Sequence, residues 1–158
     1  MRPLLEPKGM KVLQFGRFPF VVPPSHEKYS AMILGGAYAT AETKEDKKVK
    51  AILDLGAGCG EFAVWATKRW PNAWIDCFED DEEAKRALYE NLPPGGRVFG
   101  ADVKFSVVDY DVVRISTREA LHHVFETQSA ALARVPILIV HVLGWGQPDL
   151  EEPIGGDS

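Results

Sequence analysis

Cysteine is scarce in this chain, with Cys59 and Cys77 the only two among 158 residues. Two thiols cannot build the multi-bridge framework of a small secreted domain, and they suit a reducing, cytoplasmic setting. Long apolar runs are missing too. No stretch reaches the roughly 18 consecutive apolar residues of a membrane-spanning helix, and the first residues lack a signal-peptide layout. The expectation is a soluble, cytoplasmic protein that does not enter a membrane. Positive charge is in deficit, at a formal net charge of −5. That balance argues against a surface that grips nucleic acid throughout, and leaves the Lys-rich residues 44–50 as the one candidate patch for it. Metal-ligand spacing is absent as well. His122 and His123 are adjacent, so on a helix they point about 100° apart and cannot readily share one ion. No metal site is expected.

What is present suits one globular domain, at 46% hydrophobic and 26% charged residues. The rest of the chain is organised around residues 51–61, AILDLGAGCGE: a short apolar run, an aspartate, three glycines at alternate positions, then an amphipathic segment. The pattern predicts a buried strand, a tight turn and a helix over 59–70. Glycines accept φ > 0 and let a ligand approach the backbone. The following helix would aim its unpaired N–H groups and positive dipole end at that ligand. A dinucleotide fingerprint, G-x-G-x-x-G/A, needs a small residue at position 61, and Glu61 stands there instead. Cys59 at the helix start reads as a small turn residue.

Further strands are expected at 73–79, 103–110 and 136–143. Glu79 and Asp109 fall at the carboxyl ends of the first two of these, the edge where open parallel sheets bind ligands. Asp80 to Glu83 occupy the first turn of a helix whose inner stripe is Ala84, Ala87, Leu88 and Asn91, with 93–96 (PPGG) stopping it. Ser116 and Glu119 read as a capping box opening a long helix. Strand and helix alternate, so the predicted class is α/β: a doubly wound, mostly parallel sheet. Residues 1–42 read as an N-terminal arm and a helix capped by Ser25, 43–148 as the ligand-binding domain, and 149–158 as an acidic flexible tail.

The run D-L-G-A-G-C-G resembles the first motif of class I (Rossmann-like) S-adenosylmethionine (SAM)-dependent methyltransferases. The resemblance implies S-adenosyl-L-methionine as cofactor and methyl transfer as activity. It implies Gly56, Ala57 and Gly58 at the cofactor turn and Asp54 near the methionine end. It places Glu79 on the ribose and Asp109 with Tyr110 by the adenine; Asp80, at the helix start, reads either as a further cofactor contact or as a helix-start carboxylate. Such enzymes have a seven-stranded sheet, whereas this sequence offers no apolar run beyond Leu143. The expected sheet is therefore truncated after its fourth strand. Its open edge calls for a cover: the N-terminal arm, a second copy of the chain, or a partner subunit. The N/D-P-P-Y/F/W motif of adenine- and glutamine-modifying members is absent, so no catalytic residue is identified and the methyl acceptor is unknown. His141, Trp145 and Gln147 are the only groups near that place able to orient or deprotonate an acceptor. Two other readings stand beside this one: a non-catalytic scaffold or regulatory subunit, and an NAD-type oxidoreductase.

Overall fold

A computed structural model describes residues 8–15, 18–34, 49–100 and 102–141 of the chain. A hairpin comes first, β1 (Lys11–Phe15) antiparallel to β2 (Phe18–Val22). A 3-10 turn, Pro24–His26, leads into the short α1 (Glu27–Met32). Then follow β3 (Ala51–Leu55), α2 (Glu61–Arg69), β4 (Trp74–Phe78), α3 (Glu82–Asn91), β5 (Gly96–Phe99), β6 (Val112–Ile115), α4 (Arg118–Leu132) and β7 (Ile137–Val140).

The second sheet has the order β5-β4-β3-β6-β7, and every neighbouring pair is parallel. All five residues of β3 are buried, as in a strand covered on both faces. Ile52 joins Phe62, Ala63 and Ala66 of α2 and Leu88 of α3 in one apolar layer. Leu53 and Leu55 join Leu121, Val124 and Leu132 of α4 in the other. Burying a side chain such as Phe62 contributes roughly 1.5–3 kcal/mol each time, and these two layers supply most such contacts. The class is the expected one, an α/β doubly wound parallel sheet. Among the described residues no helix is long and apolar enough to cross a membrane.

The parallel sheet has five strands where four were expected. Residues 103–110 are not a strand. The third ladder is filled by β5, which begins after Gly95 takes φ 85° and pairs Gly96–Phe99 with Ile75–Phe78. Residues 102–111 then lead to the other side of β3 with no α-helix, through a 3-10 turn at Val107–Asp109. The strand that follows, β6, begins at Val112, beyond the stretch read as strand.

Both predicted caps moved. Ser25 lies inside the 3-10 turn, bonded to His26 Nδ1, and caps nothing. α4 is capped by Thr117, which accepts from the Ala120 N–H, while the Ser116 hydroxyl donates to Leu55 O and Gly56 O. The apolar residues of the N-terminal arm form the β1–β2 hairpin, which packs on α3. Phe20, Val21 and Val22 pack with Ala84 and Ala87, and the Asn91 side chain bonds both the N–H and the carbonyl of Val21. Among the described residues β7 pairs with β6 alone, so the hairpin does not close that edge.

Candidate functional site

Chain direction across the sheet reverses at β3. β4 and β5 build outward on one side, β6 and β7 on the other. Such a switch point opens a crevice at the carboxyl end of the central strands, and the glycine turn lies there. Gly56, Gly58 and Gly60 have φ of 82°, 60° and 100°, a region L-residues rarely occupy. The turn is closed from within. Gly56 and Ala57 N–H both donate to Phe78 O at the end of β4, and Gly60 N–H donates to Ala57 O.

Glu79 follows β4 directly and reaches back across the turn. Its Oε1 accepts from Gly58 N–H at 2.6 Å, and its Oε2 accepts from the N–H groups of Asp80 and Asp81 at 2.9 and 3.0 Å. Asp81 caps α3 by accepting from Ala84 N–H. Beside the Glu79 carboxylate lies a cleft of about 240 Å³, whose walls include Gly56, Phe78, Glu79, Asp80, Phe105 and Thr117. Phe105 meets Phe78 edge-on at 5.1 Å between ring centroids, giving the cleft an aromatic wall. Gln128 of α4 holds that wall in place: its Nε2 donates to Phe105 O and its Oε1 accepts from Val107 N–H. His123 of α4 also borders the cleft, packed against the Phe105 ring.

The first turn of α2 is occupied by its own side chain. Glu61 is 1% exposed, accepts from Cys59 N–H at 3.2 Å and takes the Ser30 hydroxyl of α1 at 2.6 Å. Burial pushes its carboxyl above the usual range, with the Ser30 hydrogen bond opposing. The expected open cradle of N–H groups at this helix start is thus filled by a carboxyl. Cys59 beside it is fully buried, and burial raises its thiol pKa, so it serves as packing.

Asp54 is also fully buried. Its Oδ1 takes Arg114 at 2.9 Å, and its Oδ2 has no hydrogen-bond partner among the described residues. Burial raises its carboxyl pKa, and the Arg114 guanidinium pulls the other way. His141 follows β7 on the same rim, its N–H donating to Ile115 O. Burial, aided by the Arg114 charge, lowers its pKa.

Asp109 and Tyr110 are not on this rim. The next residue, Asp111, donates its N–H to Ala51 O and accepts from Lys50 and Ala51 N–H, which places it at the amino end of β3. A five-residue strand spans ~13 Å, so the pair stands a full strand length from the glycine turn. Tyr110 instead donates to Asp76, which Arg97 grips with two hydrogen bonds. The error has a physical source: reading 103–110 as the third strand carried both residues to the wrong end of the sheet. Trp145, Gln147 and the tail 149–158 lie outside the described residues, as do residues 44–48 of the Lys-rich run. Among the described residues no group of three His, Cys, Asp or Glu side chains is arranged to hold a metal.

Phe105, Thr117 and Arg114 escaped the sequence reading. Phe105 was absorbed into the supposed strand. Arg114 did leave a signal: a lone cation inside the apolar run 112–115, as Asp54 is a lone anion inside 51–55.

No family model matches the sequence, and no curated protein matches it. Solved structures do match. M. jannaschii TYW2, determined in complex with AdoMet, superposes with a TM-score of 0.52 at 15% identity, over 79% of this chain and 59% of its own. Precorrin-6y C5,15-methyltransferase from Geobacter metallireducens GS-15 gives 0.51 at 16% identity, over 77% of this chain and 66% of its own. The chain thus spans less than two thirds of either neighbour's length. With its parallel sheet wound outward from β3 and its glycine turn at that strand's carboxyl end, the chain has the class I SAM-dependent methyltransferase fold.

Proposed function

We propose that the chain binds S-adenosyl-L-methionine and transfers its methyl group to an acceptor. The observation that carries this reading is the placement of two carboxyl groups around the glycine turn. Glu79 sits at the end of β4, beside the cleft, where it can accept from a ribose diol. Three backbone N–H bonds already hold it, and a carboxylate has about four acceptor positions, so binding requires one of those bonds to yield. Glu61 fills the start of α2, the place where a dinucleotide would set its pyrophosphate. A phosphate there would meet a carboxyl and find the Cys59 N–H taken. A nucleoside without phosphate meets no such conflict, and the ligand named with M. jannaschii TYW2 is one.

The residues present fit that group in three further respects. Phe78 and Phe105 offer an aromatic wall to a purine. Gly56 and Gly58 keep the turn free of side chains; a Cβ on Gly58 would stand 3.0 Å from Glu61 Oε2. The buried Asp54 Oδ2 is an acceptor with no hydrogen-bond partner among the described residues. When bound, the cofactor would supply an electrophilic sulfonium methyl group. The chain's share is positioning and electrostatics. A second reading, a methyltransferase-like scaffold or regulatory subunit, draws on the engagement of Asp54 by Arg114, which offsets the charge meant for the methionine end.

Calorimetry of the full chain with SAM and with NAD tests the proposal. SAM should bind, NAD should not, and Glu79→Ala should weaken SAM at least tenfold while far-UV circular dichroism stays unchanged. A folded wild-type protein that ignores SAM would leave the scaffold reading.

A further inference from the structure

Between the layers of an α/β sheet the side chains are apolar, yet β6 carries Arg114 at its centre, the largest fully buried side chain among the described residues. A guanidinium removed from water is strongly unfavourable unless its donors are satisfied. Among the described residues, groups from β3, the glycine turn, α1 and α2 meet this one. Nη1 donates to Asp54 Oδ1 at 2.9 Å and to Gly56 O at 2.9 Å. Nη2 reaches the Tyr29 hydroxyl of α1 at 3.4 Å. The Phe62 ring of α2 lies 5.4 Å from the guanidinium carbon.

The two bonds from Nη1 are the informative ones. Asp54 belongs to β3, whereas Gly56 is the first residue of the turn, with φ 82°. One nitrogen therefore ties the strand's last residues to the start of the turn. The Gly56 carbonyl accepts a second bond from the Ser116 hydroxyl, also presented from the end of β6. With that carbonyl held toward β6, the peptide between Gly56 and Ala57 keeps its N–H on Phe78 O, and the turn's remaining N–H groups follow. Charge balance for Asp54 needs only the first bond. The bond to Gly56 O does something else.

We propose that Arg114 is a positioning residue for the glycine turn: it locks the Gly56 carbonyl against β6 and so holds the turn in its ligand-ready shape. Its value to cofactor binding rests on the SAM reading above; its effect on the turn does not. A role limited to balancing Asp54 is the rival explanation, and the two separate experimentally.

Three variants are compared with the wild-type full chain: Arg114→Met, the pair Asp54→Asn with Arg114→Met, and Arg114→Lys. Melting reports stability, amide hydrogen exchange reports the turn, and calorimetry with SAM reports binding. Arg114→Met strands the Asp54 carboxylate and should melt far lower, or fail to fold. The paired variant removes both charges and should recover most of the melting temperature. In that recovered protein the N–H groups of residues 56–58 should still exchange at least tenfold faster than in wild type, with strand amides of β3 and β6 protected. SAM affinity should fall at least tenfold with them. Lysine keeps the charge but lacks the fixed fork, so Arg114→Lys should fold and show the same faster exchange at the turn. Wild-type exchange at residues 56–58 in either folded variant would overturn the proposal and leave Arg114 as a counter-charge alone. Should wild type itself ignore SAM, the functional reading falls, while the exchange rates still decide what Arg114 does.

Discussion

Alanine at Gly56 tests whether the turn is shaped by its neighbours or merely by its own backbone. A Cβ there falls against the Ser116 hydroxyl and 2.8 Å from Thr117 Cγ2, on a residue with φ 82°. Left-handed backbone costs an L-residue ~1–2 kcal/mol. Ser116 must also swing away and abandon the hydrogen bond that its single hydroxyl proton shares between Leu55 O and Gly56 O, worth about 1 kcal/mol. The sum is about 2–3 kcal/mol. At about 3 °C per kcal/mol for a chain of this size, Gly56→Ala should lower the melting temperature by about 6–9 °C. Gly9 supplies the control, since its φ is 79° but nothing lies within 4 Å of a Cβ built on it. Gly9→Ala should cost only the backbone term, about 3–6 °C. The cycle with Ser116→Ala closes the reasoning. Alone, that change loses the shared hydrogen bond; on the Gly56→Ala background it is already broken, so the coupling should be about 1 kcal/mol. Thermal melts of the four proteins measure it. Equal losses for Gly56→Ala and Gly9→Ala, or strict additivity with Ser116→Ala, would refute the contact.

Two other outcomes follow from the placements described. Tyr110→Phe removes one hydrogen bond to a buried carboxylate, so it should destabilise by ~1.5–3 kcal/mol while leaving SAM affinity within twofold. A larger affinity loss, by calorimetry, would return Tyr110 to the ligand rim. His141 has its pKa lowered by burial and by Arg114, so the unfolded chain takes up that proton first as pH falls. Its contribution is complete above the unfolded value near 6.5 and is lost on descending through the folded one. Denaturant melts from pH 7 to 5 should therefore decline less steeply in His141→Gln, and identical slopes would show an ordinary histidine.

The part of the site readable in consecutive residues was the part built by consecutive residues. The apolar run 51–55 had to be buried, and the glycines at 56, 58 and 60 mark backbone that only glycine adopts without strain. Glu79 followed from strand length and direction, because it closes a strand parallel to β3. Residues 103–110 misled because an apolar, β-branched stretch looks like a strand whether or not a ladder remains open for it. Gly96–Phe99 had already taken that ladder, and which segment pairs with Ile75–Phe78 is settled only when the chain closes.

The same distinction separates Ser116 from Thr117. Either hydroxyl could cap α4 by local spacing, but the first is drawn to Leu55 O and Gly56 O, sixty residues away, and the second takes the cap. Local torsional preference, carried by side-chain shape, was enough to determine the strand, the turn and the helix around the glycines. Partners distant along the chain decided the rest, because hydrogen bonds and buried charges such as Asp54 and Arg114 are satisfied by whichever group folding brings within reach.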